Sequence, residues 1–250
     1  MVGRVEKYLL EKIKSENSIH ITLIDPEKVT APQASAVAAK AKLGGTSAIM
    51  IGGSTFTSTK HLDNVVKAVK RTAKLPVILF PNNVTGISRY ADAIWFMSLL
   101  NSVDPYFLVG AQILGAPMVK KYRLEPIPMG YIIVGDGGTA GVVGKAVPIP
   151  YNKPELAAAH ALAGQYLGMR FIYLEAGSGA RKPVPSGMIR AVKSYIDVPL
   201  IVGGGIKTRK QALTAAAAGA DIIVTGNIVE NAEVKDKVSE IIKGIKSGRL

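Results

Sequence analysis

Residues 171–179 read Phe171-Ile172-Tyr173-Leu174-Glu175-Ala176-Gly177-Ser178-Gly179. The same pattern recurs twice before the chain ends, as Pro-Leu-Ile-Val-Gly-Gly-Gly at 199–205 and Asp-Ile-Ile-Val-Thr-Gly-Asn at 221–227. Each is a short apolar run, too brief for a helix, that breaks into glycine. Hydrophobicity is continuous along each run and does not alternate, as in strands covered on both faces. Working back towards the amino terminus, five more such runs lie at Ile19–Ile24, Ser47–Ile51, Pro76–Phe80, Ala93–Met97 and Ile127–Val134. With Phe171–Glu175, Pro199–Gly203 and Asp221–Thr225 they make eight. Helical stretches separate them, for example Pro32–Leu43, His61–Thr72, Lys153–Leu167, Pro185–Tyr195 and Thr208–Ala218. One helix leads the chain at Val5–Ser15 and another closes it at Ala232–Lys246. Strict alternation of strand and helix indicates a parallel sheet, and eight strands close a (βα)8 barrel. An open, doubly wound sheet is the alternative on pattern alone. No break in composition divides the chain, so residues 1–250 are expected to form one barrel domain.

One unit of the repeat is short. About a dozen residues separate Phe80 from Ala93, hardly room for a loop, a crossover helix and a return loop. The barrel is therefore expected to be modified, with the helix after strand three missing or replaced by a loop. Either a short 3₁₀ turn plugs the gap, or the gap is a groove for something long and apolar.

Composition narrows the chemistry. The chain has no cysteine, which removes thiolate catalysis, Cys-ligated zinc and iron–sulfur centres and fits a reducing compartment. The amino terminus is charged where a signal peptide needs an apolar centre. The longest uncharged stretch, Leu43 to Thr59, is rich in Gly, Ser and Thr, so a cytoplasmic protein is expected. The net charge is +13, but the basic residues are scattered over helices and do not interleave with aromatics. That argues for a solvated basic surface and against nucleic acid as a partner.

In (βα)8 enzymes the reaction takes place where the strands end, and phosphate is often bound after strands seven and eight. Glycines there let backbone N–H groups close on an anion. The three glycine turns in succession therefore point to a phosphorylated ligand. The segment around Gly177-Ser-Gly179 lacks the remaining glycine of a dinucleotide fingerprint, and Gly144-Lys145 lacks the flanks of a P-loop. Gly135–Gly144 reads as a mobile loop over the site. His20 reads as a structural residue at the far end of strand one, and His61 and His160 as helix residues. No strand candidate contains lysine, which weighs against a Schiff-base enzyme. The acid–base groups that remain are Asp25, just past strand one, and Glu175, at the end of strand six. Glu175 beside a phosphate site would repel the phosphate, so it suits a substrate hydroxyl and its proton. Tyr173, two residues earlier, shares its face of the strand and is either a site residue or barrel filler. Asp25 either caps the turn at Pro26 or, with Ser54 and Thr55, holds Mg²⁺ through hard oxygen ligands.

In this order, Ile24-Asp-Pro-Glu-Lys28, Ile51-Gly-Gly-Ser-Thr55, Phe80-Pro-Asn-Asn83, residues 173–179, Gly203-Gly-Gly205 and Gly226-Asn227 resemble the archaeal geranylgeranylglyceryl phosphate synthase family over essentially the whole chain. The resemblance implies a modified barrel lacking the helix after strand three. It implies a prenyltransferase of membrane ether-lipid biosynthesis that joins sn-glycerol 1-phosphate to geranylgeranyl diphosphate with Mg²⁺. Asp25 and Ser54 resemble the metal positions. Tyr173, Leu174, Glu175, Ala176, Gly177, Ser178, Gly179, Gly203, Gly204, Gly226 and Asn227 resemble the glycerol phosphate positions, with Glu175 and Tyr173 the catalytic pair. A homo-oligomer and transient contact with a membrane surface are also implied. The prenyl tail is expected to leave through the gap beside strands three and four, near Trp95 and Phe96. The bacterial heptaprenylglyceryl phosphate synthases, and phosphosugar or flavin-phosphate barrels, are the competing readings.

Overall fold

The computed structural model describes residues 2–53, 58–226 and 233–248. Eight parallel strands close into a barrel in sequence order, β1 (Ile19–Ile24), β2 (Ala48–Ile51), β3 (Val77–Leu79), β4 (Ala93–Leu99), β5 (Glu125–Ile133), β6 (Phe171–Glu175), β7 (Leu200–Gly203) and β8 (Ile222–Thr225). Strand β8 pairs with β1 and completes the ring, which removes every sheet edge. The open-sheet alternative is thereby excluded.

Period-two alternation divides the core into two layers. Inside the ring lie Ile21, Met50, Ile78, Trp95, Met129, Phe171, Tyr173, Ile201 and Val224. Outside it Ile24, Ile51, Leu79, Ile94, Leu174, Val202 and Ile223 meet the helices. Facing them are α2 (Ala31–Gly44), α3 (Thr59–Ala73), α4 (Ala111–Tyr122), α6 (Pro154–Tyr166), α7 (Ser186–Lys193), α8 (Arg209–Ala217) and α9 (Val234–Ser247). Several present alanine to the barrel, as α2 does with Ala34, Ala38 and Ala41, so backbone and sheet approach closely.

The leading helix, α1 (Arg4–Glu16), places Val5 and Leu9 in the interior layer. Its first free backbone donors, Val5 N–H and Glu6 N–H, are both 2.8 Å from the Glu125 carboxylate at the start of β5. Arg170 donates through both arms to the buried Glu6, at 2.6 and 2.7 Å. Because Glu6 is buried, losing this partner would leave an uncompensated charge, at a cost of about 3–5 kcal/mol. These contacts fix α1 at the amino-terminal ends of the strands and leave the carboxyl-terminal ends open.

Between β3 and β4 the structure has only a 3₁₀ turn, Val84–Gly86, so the crossover helix is absent as expected. The residues after β5 do not form a plain loop, however. A short helix, α5 (Gly138–Val143), occupies the second half of 135–144, and Gly135 and Gly137 before it and Gly138 at its start take positive φ. Helix α4 was not marked in the sequence, where Gly115 and Pro117 interrupt its period. A π-helical turn, Tyr106–Gly110, leads into it. Among the described residues no helix is long and apolar enough to cross a membrane.

Candidate active site

The carboxyl-terminal ends of the strands surround a cavity of about 600 Å³. One wall is polar and carries Asp25, Glu175, Ser178, Gly179, Gly204, Gly205 and Gly226. The other runs outward past Ile87, Ile94, Phe96, Gly115 and Val119, through the sector where the helix is missing. Both readings of the short unit are therefore realised, since a 3₁₀ turn is present and an apolar groove runs beside it.

Glu175 ends β6, is 6% exposed, and accepts a 2.6 Å hydrogen bond from Gly177 N–H. Burial raises its pKa above the ordinary glutamate value, against the opposing pull of nearby Tyr173 and the Gly177 N–H. Such a carboxyl takes a proton more readily than an exposed one does. Tyr173 is fully buried inside the ring, and its hydroxyl has no hydrogen-bond partner. Its phenol is pushed well above the usual value by burial first and by Glu175 second. Glu175 is close enough to act electrostatically, but the two groups do not meet the geometry of a hydrogen bond. A buried hydroxyl without a partner costs about 1–3 kcal/mol, and this one is free to bond an oxygen that enters the cavity.

The glycines at the end of β7 are required by these two side chains. A Cβ on Gly203 would collide with the Tyr173 hydroxyl, and one on Gly204, at φ +81°, with the Glu175 carboxylate. The sequence assigned both to backbone approach on an anion. In the structure Gly203 makes room for Tyr173, while Gly204, Gly205 and Gly226 line the cavity itself. Gly205 is also left-handed, at φ +72°. Helix α8 begins beyond this turn and closes its own first turn with a Thr208–Gln211 capping box. The first turn of α8 is thus capped by its own side chains, and the glycine-lined part of the cavity is formed by the strand ends.

Of the other anticipated positions, Leu174 and Ala176 turn outward into the helix layer, where period two sends them. Their side chains are absent from the cavity wall, which leaves only their backbone to face a ligand. Gly177 supports the site from behind: its N–H holds Glu175, and a Cβ there would strike Gly137. Ser54 and Asn227 lie outside the described residues.

Asp25 is half-buried and lines the cavity, and it performs the capping role as well. Its Oδ1 accepts from Glu27 N–H at 3.1 Å and closes the turn Pro26–Lys28. A Cβ on Gly53 would strike the same carboxylate, so the end of β2 is pressed against Asp25. Among the described residues no cluster of three His, Asp or Glu side chains could cage a metal by itself. A single hard carboxylate still fits Mg²⁺, which keeps several waters and completes its shell with substrate phosphate oxygens.

Sequence reasoning passed over the aromatic lining. Phe80 stacks on Tyr173 with centroids 5.7 Å apart, and Tyr131 stands edge-on to both at 5.4 and 5.2 Å. Tyr131 faces Tyr173 in register across β5 and β6. A lone tyrosine late in an otherwise aliphatic strand was the available signal. Trp95 and Phe96 both line the cavity from opposite faces of β4. Trp95 points into the ring and donates to Met50 Sδ, and Phe96 points outward into the groove.

The geometry agrees with what the chain is similar to. The model of the PcrB family matches residues 11–245. The geranylgeranylglyceryl phosphate synthase of Pyrococcus abyssi is 57% identical over 98% of this chain and 99% of its own. The crystal structure of (S)-3-O-geranylgeranylglyceryl phosphate synthase from Thermoplasma acidophilum, in complex with substrate sn-glycerol-1-phosphate, superposes with a TM-score of 0.94. That protein is 41% identical, and the match covers 98% of this chain and 99% of the other. The corresponding enzyme of Thermoplasma volcanium has a TM-score of 0.93 and is 46% identical over 96% of this chain and 97% of its own. A barrel with one helix missing, one cavity with a polar and an apolar arm, and identity on this scale over nearly the full length have one meaning: the chain belongs to the PcrB family, with the archaeal geranylgeranylglyceryl phosphate synthases.

Proposed function

We infer that this chain is a prenyltransferase that joins sn-glycerol 1-phosphate to geranylgeranyl diphosphate, giving 3-O-geranylgeranylglyceryl phosphate and diphosphate. The observation that carries the reading is the single cavity. Its glycine-lined end suits a phosphate, its outer arm suits an isoprenoid chain, and Glu175 lines it next to Gly204.

The acceptor's phosphate sits against Ser178, Gly179, Gly204, Gly205 and Gly226, with Asn227, next in the sequence, as a further contact. That contact orients the free terminal hydroxyl towards Glu175, and the Tyr173 hydroxyl finds its missing partner in a glycerol oxygen. Glu175 takes the hydroxyl proton as the oxygen bonds to the allylic carbon. The carbon–oxygen bond to diphosphate breaks in the same event, and diphosphate departs with the bonding pair. Phe80, Tyr131 and Tyr173 line the cavity beside Glu175, where aromatic faces favour the positive charge that builds on the allylic carbon. Asp25, with Ser54, would hold Mg²⁺ against the diphosphate. When bound, the ion neutralises charge on the leaving group. The prenyl chain lies along Phe96, Ile94, Ile87 and Gly115. A cytoplasmic location and a homo-oligomer go with this reading, as does transient contact with the membrane that supplies so apolar a donor. Exposed Ile113 and Leu114 on α4 support an apolar contact of that kind.

The test is a product assay offering C15, C20 and C35 diphosphates with each enantiomer of glycerol phosphate. The expected result is ether product from the C20 donor and sn-glycerol 1-phosphate. Preference for the C35 donor would make the chain a heptaprenyl enzyme, and no ether product from any pair would overturn the reading.

A further inference from the structure

His20 has no place in the reaction just described, and its side chain is absent from the cavity wall. It does not stand apart at the far end of the barrel either. It is the second residue of β1, 1% exposed, and both ring nitrogens are engaged. Nδ1 lies 3.0 Å from Thr46 Oγ1, and Nε2 lies 2.7 Å from Thr225 Oγ1. Thr225 is the last residue of β8, lines the cavity, and directly precedes Gly226, which lines it too. A buried polar ring is expensive in a layer otherwise filled by Ile24, Ile51 and Ile223 unless its hydrogen bonds are needed.

Thr46 Oγ1 accepts from Thr22 N–H and from the Thr22 hydroxyl, each at 3.1 Å, and its own proton faces the His20 carbonyl at 3.1 Å, the Ala48 carbonyl at 3.2 Å and Nδ1. In either tautomer the ring bridges Thr46 and Thr225, one nitrogen to each. Burial pushes the imidazole pKa down to about 3, so the ring is neutral at physiological pH.

On the reading above that the Gly226 turn receives the acceptor's phosphate, we infer that His20 is a positioning residue for glycerol phosphate. The bond between its Nε2 and Thr225 fixes the end of β8 and with it Gly226. The network Thr22–Thr46–His20–Thr225 ties that strand end to β1 and to the approach to β2, so a side chain outside the cavity sets the acceptor's affinity.

Two amides separate positioning from mere filling. His20→Gln places its side-chain amide where Nε2 stands and keeps the bond to Thr225. His20→Asn reaches only the position of Nδ1 and loses it. Glycerol phosphate affinity is measured by calorimetry on the full chain, with the thermal midpoint recorded for each variant and kcat and KM taken at saturating prenyl diphosphate. Wild type should bind, and His20→Gln should stay within about 2-fold. His20→Asn and Thr225→Val should each weaken binding by about 10-fold, the scale of one hydrogen bond. The double variant His20→Asn/Thr225→Val should be no weaker than either single one, because both remove the same link. KM for glycerol phosphate should rise while kcat holds within about 3-fold. Wild-type affinity in both His20 variants, with only the thermal midpoint lowered, would overturn the inference. Should His20→Asn fail to fold, wild-type affinity in a folded Thr225→Val overturns it alone. Failure of the wild-type chain to bind glycerol phosphate would instead strike the reading of the site itself.

Discussion

At the scale of single residues, Glu175 and Tyr173 make opposite predictions about stability and activity. Glu175→Gln keeps the shape and the acceptor for Gly177 N–H but cannot take a proton. Its kcat should fall by about 10²- to 10⁴-fold, the range for a lost general base, while glycerol phosphate binds as well or better. The pKa of Glu175 is raised in the folded state, so the protonated form favours folding. That contribution is fully present below the ordinary glutamate pKa and is lost as pH rises through the raised value. Glu175→Gln should therefore raise the thermal midpoint at neutral pH, by an amount that shrinks on acidification. In the wild type, kcat/KM should decline with falling pH through a pKa above the ordinary carboxylate range. Tyr173→Phe removes a buried hydroxyl that has no partner in the free protein. Its thermal midpoint should hold or rise, while KM for glycerol phosphate increases. A fall in the midpoint with unchanged KM would show that the hydroxyl serves the fold and does not meet substrate. His20 has the reverse sign, since its pKa is depressed from 6.5 to about 3. Its contribution is present above 6.5 and is lost as pH falls towards 3, so His20→Gln should flatten the acid side of the stability profile.

At the scale of elements, the strands and glycine turns were legible in the sequence because both follow local rules. Uninterrupted Ile, Val and Leu mark strands covered on two faces, and Val202-Gly203-Gly204 can end a strand in only a few ways. The missing helix was legible as a length, about a dozen residues between Phe80 and Ala93. Helix α4 escaped because Gly115 and Pro117 break its pattern, and the structure shows what Gly115 is for. It lines the apolar arm, and a Cβ there would sit 3.2 Å from Ile87 Cδ1. The partners of Tyr173 escaped because Phe80 and Tyr131 reach it only when three strands are brought side by side. Likewise Leu174 and Ala176 lie inside a site motif yet face away from the site, a distinction the strand's period makes and a motif does not. Gly115→Leu should narrow the groove, raise KM for the C20 donor at least several-fold, and shift preference towards shorter donors. Calorimetry should show glycerol phosphate binding to this variant unchanged. Gly203→Ala should act on the other arm, displacing Tyr173 and lowering both stability and acceptor affinity.

At the scale of the whole molecule, the net charge of +13 surrounds a cavity for which two anionic substrates are proposed. A positive field raises the rate of encounter with anions and is screened by salt. Stopped-flow or steady-state kcat/KM for both substrates should fall with ionic strength, with kcat at saturation little changed. One cavity is proposed to hold both substrates at once, phosphate over the glycines and prenyl chain through the gap where the barrel lacks a helix. A crystal structure with sn-glycerol 1-phosphate and an unreactive geranylgeranyl thiodiphosphate should then show phosphate density against Gly204, Gly205 and Gly226, a glycerol hydroxyl at Glu175, and prenyl density running past Phe96, Ile87 and Gly115. Prenyl density leaving by any other sector of the barrel, or a phosphate bound away from these glycines, would rule the arrangement out.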